Sequence, residues 1–141
     1  MKLQFYNSIK REKEQFKPIT KCQAGMYTCG PTVYDYSHIG NFRTFMFEDL
    51  LKRWLMHSGY DVKHIMNITD LDDKTIQRSR VEGVDLKTLT ERYIKYFMDD
   101  IAWLKILPAD DYPRATMSIG CLLYTSPSPR DRTRSRMPSS A

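Results

Sequence analysis

The chain has 141 residues, 41% of them hydrophobic and 28% charged, a balance that excludes a largely disordered chain and indicates one folded domain. No run approaches the roughly 20 apolar residues of a membrane-spanning helix, and the N-terminus lacks the apolar core of a secretion or import signal. The net charge is +5, but the last 21 residues, with four arginines and one aspartate, carry +3 of it. Total charge therefore does not establish a nucleic-acid-binding surface. The three cysteines match no disulfide framework, which predicts a cytoplasmic protein.

The first elements in chain order are predicted to be two strands. Leu3–Ile9 alternates loosely between apolar and polar residues, and the charged stretch after it, as far as Pro18, is expected to be an exposed connection. Ala24–Gly30 predicts the second strand, which the turn-forming pair Gly30-Pro31 is expected to close.

A helix is predicted from Asn41 to about His57, because most of its apolar residues recur at steps of three and four positions. Gly59 is suited to a left-handed cap after it. The run DVKHIMNITD, residues 61–70, predicts another core strand. A strand, a helix and a strand in succession indicate the βαβ unit of a parallel sheet, whose ligands bind at the carboxyl ends of the strands.

Two further helices are predicted, one over Asp72–Val81 and a longer one that Asp85 caps and Pro108 ends. Within the longer helix, Tyr93–Phe97 mixes aromatic residues with a lysine, and helical spacing favours core packing over an RNA-stacking surface.

The composition changes abruptly near Gly120. Residues 121–141 contain three prolines, five serines and four arginines, which predicts disorder. We interpret this segment as foreign readthrough sequence rather than as a basic RNA-binding tail, and residues 1–120 as the folded domain.

The stretch His38-Ile39-Gly40-Asn41 lies where the first helix is predicted to begin. A helix start has free backbone N–H groups and a positive dipole end, so it suits a phosphate. Gly40 would let a nucleotide approach the backbone closely, and His38 can donate a hydrogen bond to phosphate. On these four residues alone, a turn histidine followed by a capping asparagine is the simpler interpretation.

A longer stretch, Met26–Phe45, resembles the signature region of class I aminoacyl-tRNA synthetases, in which Asn41 is commonly histidine. The closest resemblance is to the cysteinyl-tRNA synthetase family, which Asn67–Lys74 and Pro113–Thr116 also resemble, in the expected order. The resemblance covers about residues 2–119. It implies an α/β fold, an incomplete Rossmann-like parallel-sheet domain that binds a nucleotide.

The resemblance implies ATP-dependent activation of L-cysteine and its transfer to tRNA(Cys), with magnesium accompanying ATP. It assigns the nucleotide to His38, Gly40 and Asn41, with His38 and Asn41 as the catalytic residues.

The same resemblance assigns the amino acid to Gly30, Thr32 and Thr69, with the carboxylate of Asp70 close enough to meet the α-ammonium group. It makes Cys29 a zinc ligand, and a metal bond to the substrate's sulfur would distinguish cysteine from serine.

The other zinc ligands and the lysine-rich second signature that the resemblance implies are missing from these 141 residues. We therefore expect the chain alone to bind zinc weakly if at all, to be inactive, and to be marginally stable because half a parallel sheet leaves apolar surface uncovered.

Two alternative functions stay open. One is a related ligase that passes cysteine to an amino sugar in mycothiol synthesis, and the other is a non-catalytic fragment that binds a nucleotide or RNA.

Overall fold

A computed structural model describes residues 3–125 of the chain. Four strands and four helices follow one another in this range: β1 (Gln4–Asn7), β2 (Glu12–Gln15), β3 (Gln23–Thr32), α1 (Ile39–His57), β4 (Asp61–Thr69), α2 (Asp73–Glu82), α3 (Leu86–Trp103) and α4 (Ala115–Thr125). Among these helices, none combines the length and the apolar character needed to cross a bilayer.

The N-terminal segment forms a hairpin, in which β1 pairs antiparallel with β2. The prediction of an exposed connection as far as Pro18 is therefore wrong for Glu12–Gln15. Arg11 adopts a positive φ of 57° in the turn, and Asn7 Oδ1 accepts the Ile9 amide at 2.9 Å. A two-stranded ribbon has little buried surface, so its second strand carries charges and lacks the apolar alternation that identifies strands.

The predicted βαβ unit is confirmed, because β3 and β4 pair in parallel and α1 connects them. On its other side β4 makes two isolated parallel bridges, from Ile65 to Asp111 and from Ile68 to Arg114. The fold is thus the α/β, Rossmann-like arrangement that was predicted. One detail differs: Gly30-Pro31 does not close β3, which continues to Thr32 through a register irregularity that accommodates the proline.

Helices pack on the sheet through two groups of buried residues. One group lies between α1, β4 and α3, and consists of Phe42, Phe45, Met66, Phe97, Ile101 and Ile106. The other lies between β4, the segment after β3 and α3, and consists of Val33, Ile68, Leu89, Tyr93 and Ile94. The predicted left-handed Gly59 (φ 86°) and the predicted Asp85 cap, whose side chain accepts from the Thr88 amide, are confirmed.

One side of α1 remains uncovered among the described residues. Met46, Phe47 and Leu50 are 51%, 67% and 62% exposed, although they are large and apolar. This agrees with the expectation that a partial parallel sheet leaves apolar surface open to water.

The last helix crosses the boundary predicted at residue 120. Disorder was expected from residue 121, but Cys121–Thr125 continue α4, so the prediction is wrong for these five residues. The physical reason lies at the start of the helix, where the Thr116 amide and hydroxyl both donate to the Asp70 carboxylate and fix the first turn. The rest of the segment, 126–141, lies outside the described residues.

Candidate active site

The residues assigned to the amino acid come together at the carboxyl ends of two adjacent strands. Thr32 of β3 is paired with Thr69 of β4, and Gly30 precedes Thr32 on the same strand. The Val33 amide donates to the Thr69 carbonyl at 3.1 Å and extends the pairing by one residue. Strand ends are where parallel sheets bind ligands, so the arrangement fits a small polar substrate.

Gly30 occupies a position where the backbone of β4 leaves no room for a side chain. A Cβ atom built there would lie 2.0 Å from the Asn67 carbonyl oxygen and 2.8 Å from Cγ of Met66. The glycine is therefore required for the close approach of the two strands at the register irregularity, whatever it contributes to a ligand.

Cys29, the predicted zinc ligand, lies on β3 opposite Asn67 with an exposed thiol. Its sulfur lies 3.7 Å from the Gly30 carbonyl oxygen, a weak contact. Over residues 3–125, no group of three or more histidines, cysteines and acidic residues is placed to hold a metal ion. A structural zinc ion takes four ligands, so the residues present do not form a zinc site.

His38 and Asn41 cap the first turn of α1 reciprocally. His38 is the N-cap, and its Nδ1 accepts the Gly40 amide at 3.0 Å, while Asn41 Oδ1 accepts the His38 amide at 3.0 Å. Because Nδ1 acts as an acceptor, the proton of the neutral imidazole is on Nε2, which is left as a donor. The sequence-based alternative had Asn41 as the cap, whereas the structure gives that position to His38.

Gly40 leaves room for this cap. A Cβ atom at residue 40 would lie 2.8 Å from Cε1 and 3.0 Å from Nδ1 of His38, so the ring would have to shift away from the amide from which it accepts. All four residues, 38–41, are exposed, which leaves the helix start open to solvent. An open, capped helix start with a histidine N–H donor is chemically suited to an anion.

Asp70, the suggested partner of the α-ammonium group, has another role. Its carboxylate is 3% exposed and accepts the Thr116 amide at 2.9 Å and the Thr116 hydroxyl. The carboxylate oxygens are engaged in capping α4 in this structure, and a contact with the α-ammonium group stays a prediction.

The loop between β3 and α1, residues 33–38, is held by residues that sequence reasoning did not select. Tyr34, Asp35 and Tyr36 each contact the hairpin formed by α2 and α3. A sequence gives no local signal for such contacts, because the partners are separated from the loop by about 40 to 60 positions.

The fold and the candidate site identify the chain as part of a Rossmann-like α/β domain. Its ligand positions lie where β3 and β4 end and where α1 begins. A family model described as "tRNA synthetases class I (C) catalytic domain" matches residues 15–124. The chain belongs to this family.

Three relatives of the chain share the name "Cysteine--tRNA ligase". The chain is 50% identical over 119 residues to the "Cysteine--tRNA ligase" of Thermococcus kodakarensis and 55% identical over 121 residues to that of Chlamydia abortus, matches that cover 84% and 86% of the chain. It is 51% identical over 114 residues, or 81% of its length, to that of Pyrococcus furiosus. These matches cover 25%, 25% and 24% of the relatives, so the chain spans about a quarter of the curated relatives it matches.

Proposed function

We propose that the chain is the N-terminal part of the catalytic domain of a cysteine–tRNA ligase, which forms cysteinyl-adenylate from cysteine and ATP and transfers the cysteinyl group to tRNA(Cys). The observation that carries the proposal is the juxtaposition of two sites within one short connection. Thr32 and Thr69, which are proposed to bind the amino-acid substrate, lie at the paired strand ends. The loop that follows β3 ends at the capped start of α1, His38–Asn41.

In the first step, a carboxylate oxygen of cysteine attacks the α-phosphorus of ATP and pyrophosphate leaves. No side chain has to exchange a proton for this displacement, so the protein contributes through positioning and charge stabilisation. The N–H groups and the positive dipole end of α1 attract the phosphates. His38 adds its Nε2–H donor, Gly40 removes steric bulk beside the nucleotide, and Asn41 keeps the histidine in place.

Gly30, Thr32 and Thr69 are proposed to hold the amino acid at the strand ends, where the two threonine hydroxyls supply polar contacts. The described residues contribute a single candidate zinc ligand, the exposed thiol of Cys29, so no step is derived through a metal. A cytosolic location is part of the proposal and is supported by the exposed free thiols of Cys22, Cys29 and Cys121.

A chimera tests the proposal, because the chain spans about a quarter of its relatives. Residues 1–120 replace the matching quarter of the Chlamydia abortus relative, and cysteine-dependent ATP–pyrophosphate exchange is measured. We expect exchange in the chimera and a loss of about 100-fold or more in its His38→Ala variant, because a donor to developing charge is removed.

His57→Ala is the matched control, since this second exposed histidine lies in the last turn of the same helix, and it should leave exchange unchanged. A folded chimera without exchange, or equal effects of the two histidine variants, would contradict the proposal. The acceptor has to be tested in the complete protein to which this chain belongs, because the chimera takes its acceptor specificity from the relative. Charging of tRNA(Cys) there supports the ligase, and attachment of cysteine to an amino sugar supports the mycothiol-type alternative.

A further inference from the structure

Three consecutive residues of loop 33–38 are each tied to the hairpin of α2 and α3. Lys74 Nζ lies 5.3 Å from the centroid of the Tyr34 ring, and the Arg78 guanidinium lies 3.9 Å from the Asp35 carboxylate. Beyond them, the Tyr36 ring contacts two tyrosines of α3 at once. The loop therefore follows the surface of the hairpin instead of projecting into solvent.

The Tyr36 contact is the most extensive of the three. Its ring centroid lies 5.5 Å from that of Tyr93, at an interplanar angle of 87°, and 4.8 Å from that of Tyr96, at 38°. Edge-to-face and tilted pairs at these separations are favourable aromatic geometries. The neighbouring Tyr96 hydroxyl also raises the pKa of the Tyr36 hydroxyl above its ordinary value.

The surface under Tyr36 is itself fixed. Tyr93 is 5% exposed and belongs to the buried group around Ile68 and Leu89. Its hydroxyl lies 3.3 Å from Nη2 of Arg78 and 3.4 Å from the Glu82 carboxylate. Glu82 holds both Arg78 and Arg92, which joins α2 to α3 on this side. An aromatic ring packed on this surface has a defined position.

Loop 33–38 is anchored at its other end as well, where Val33 is buried and its amide bonds to Thr69. Only Ser37 separates Tyr36 from His38, the N-cap of α1. We propose that Tyr36 is a positioning residue, whose packing on Tyr93 and Tyr96 sets the place of the α1 start, and that the α2–α3 hairpin thereby becomes part of the nucleotide site. The participation of the α2–α3 hairpin in a nucleotide site rests on the proposed function, whereas the effect of Tyr36 on the position of the α1 start does not.

The test uses the 141-residue chain and two NMR measurements. Amide exchange is followed at Gly40 and Asn41, which donate to His38, and titration with Mg–ATP reports binding at the same amides. In Tyr36→Ala we expect exchange at these two amides to rise about five- to tenfold, because the ring that anchors the loop is lost. Tyr36→Phe keeps the ring and should restore most of the protection.

Tyr27→Ala is the matched control, since Tyr27 is a 70% exposed tyrosine on β3 and makes none of these contacts. If Tyr36→Ala does not fold, Tyr96→Ala removes one of the two ring contacts and carries the same expectation. Unchanged exchange at Gly40 and Asn41 overturns the proposal, and so does a rise of equal size at the Leu89 amide in the core, which would mean general destabilisation.

The two proposals fail differently. If the chimera shows no ATP–pyrophosphate exchange, the nucleotide assignment fails, while amide exchange at Gly40 and Asn41 still decides whether Tyr36 positions the helix start. If Mg–ATP binds and Tyr36→Ala changes neither exchange nor affinity, the nucleotide assignment stands and the role of Tyr36 is refuted.

Discussion

Gly30→Ala tests the close approach of the two strands at the candidate site. The added Cβ would meet the Asn67 carbonyl oxygen at 2.0 Å, and the nearest acceptable separation is about 3.0 Å. The strands must therefore move apart by about 1 Å, and the obstacle is backbone, which cannot rotate away as a side chain can. Residues on both sides of the contact are hydrogen-bonded into the sheet, so the movement spreads along the β3–β4 pairing.

The magnitude follows from the cost of forcing extra volume into a packed interior. Overpacking by one or two methylenes costs about 1 to 3 kcal/mol when side chains can adjust, and a backbone obstacle puts this substitution at about 3 kcal/mol or above. Complete native domains are stable by about 5 to 15 kcal/mol, and we expect this incomplete one to lie at or below the lower end of that range. Gly30→Ala should therefore remove most of its folding free energy.

Urea unfolding followed by circular dichroism measures the effect, and the chain provides a control on the same strand. Gly25 is an exposed residue of β3, and a Cβ added there meets nothing within 4 Å. Gly25→Ala should stabilise the chain by about 0.5 kcal/mol, because alanine loses less backbone entropy on folding. Equal unfolding midpoints for the two alanine variants would refute the reasoning, since they would mean that β4 does not approach residue 30.

Three further predictions concern buried polar groups. Asp70→Ala removes both acceptors of Thr116, so α4 should lose about 1 kcal/mol of capping and exchange of the Thr116 amide should speed up. Burial raises the pKa of the Glu48 carboxyl, so its contribution to stability falls as pH rises above about 4.5, and Glu48→Gln should gain about 1 kcal/mol at pH 7 and nothing at pH 4 in urea unfolding. Burial lowers the pKa of His64, so the chain should lose stability as pH falls below 6.5, and His64→Phe should flatten that part of the pH profile in thermal unfolding.

The sequence predicted those elements whose formation depends on residues close together in the chain. The helix to His57 follows from its apolar spacing, and the Asp85 cap follows from a side chain that bonds an amide three residues away. The parallel strands followed from their order along the chain. The resemblance to the synthetase family selected candidate residues on both strands, and the fold places Thr32 and Thr69 opposite each other.

The errors fall where a residue's role depends on a distant partner. The pair Gly30-Pro31 has the sequence of a turn, but β3 continues through it. The reason for the glycine is the close approach of the Asn67 carbonyl, 37 positions later. The capping role of Asp70 was likewise missed, because its partner Thr116 lies 46 positions later in the chain. Such pairings decide the chemistry of a side chain, and no window of a single sequence contains both members.

The contacts that shape the candidate site lie within the described part of the chain, as do the residues proposed to do its chemistry, and Gly30 belongs to both sets. Gly30 sets the spacing of the strand ends, the Val33 amide continues their pairing, and Tyr36 holds the loop that leads to the helix start. Each of these contacts is made to β4 or to α3, so the cap at His38 requires no residue beyond position 125. We expect the isolated chain to be inactive because it lacks groups that the longer relatives would add, and a chimera that supplies them should find this end of the site already formed.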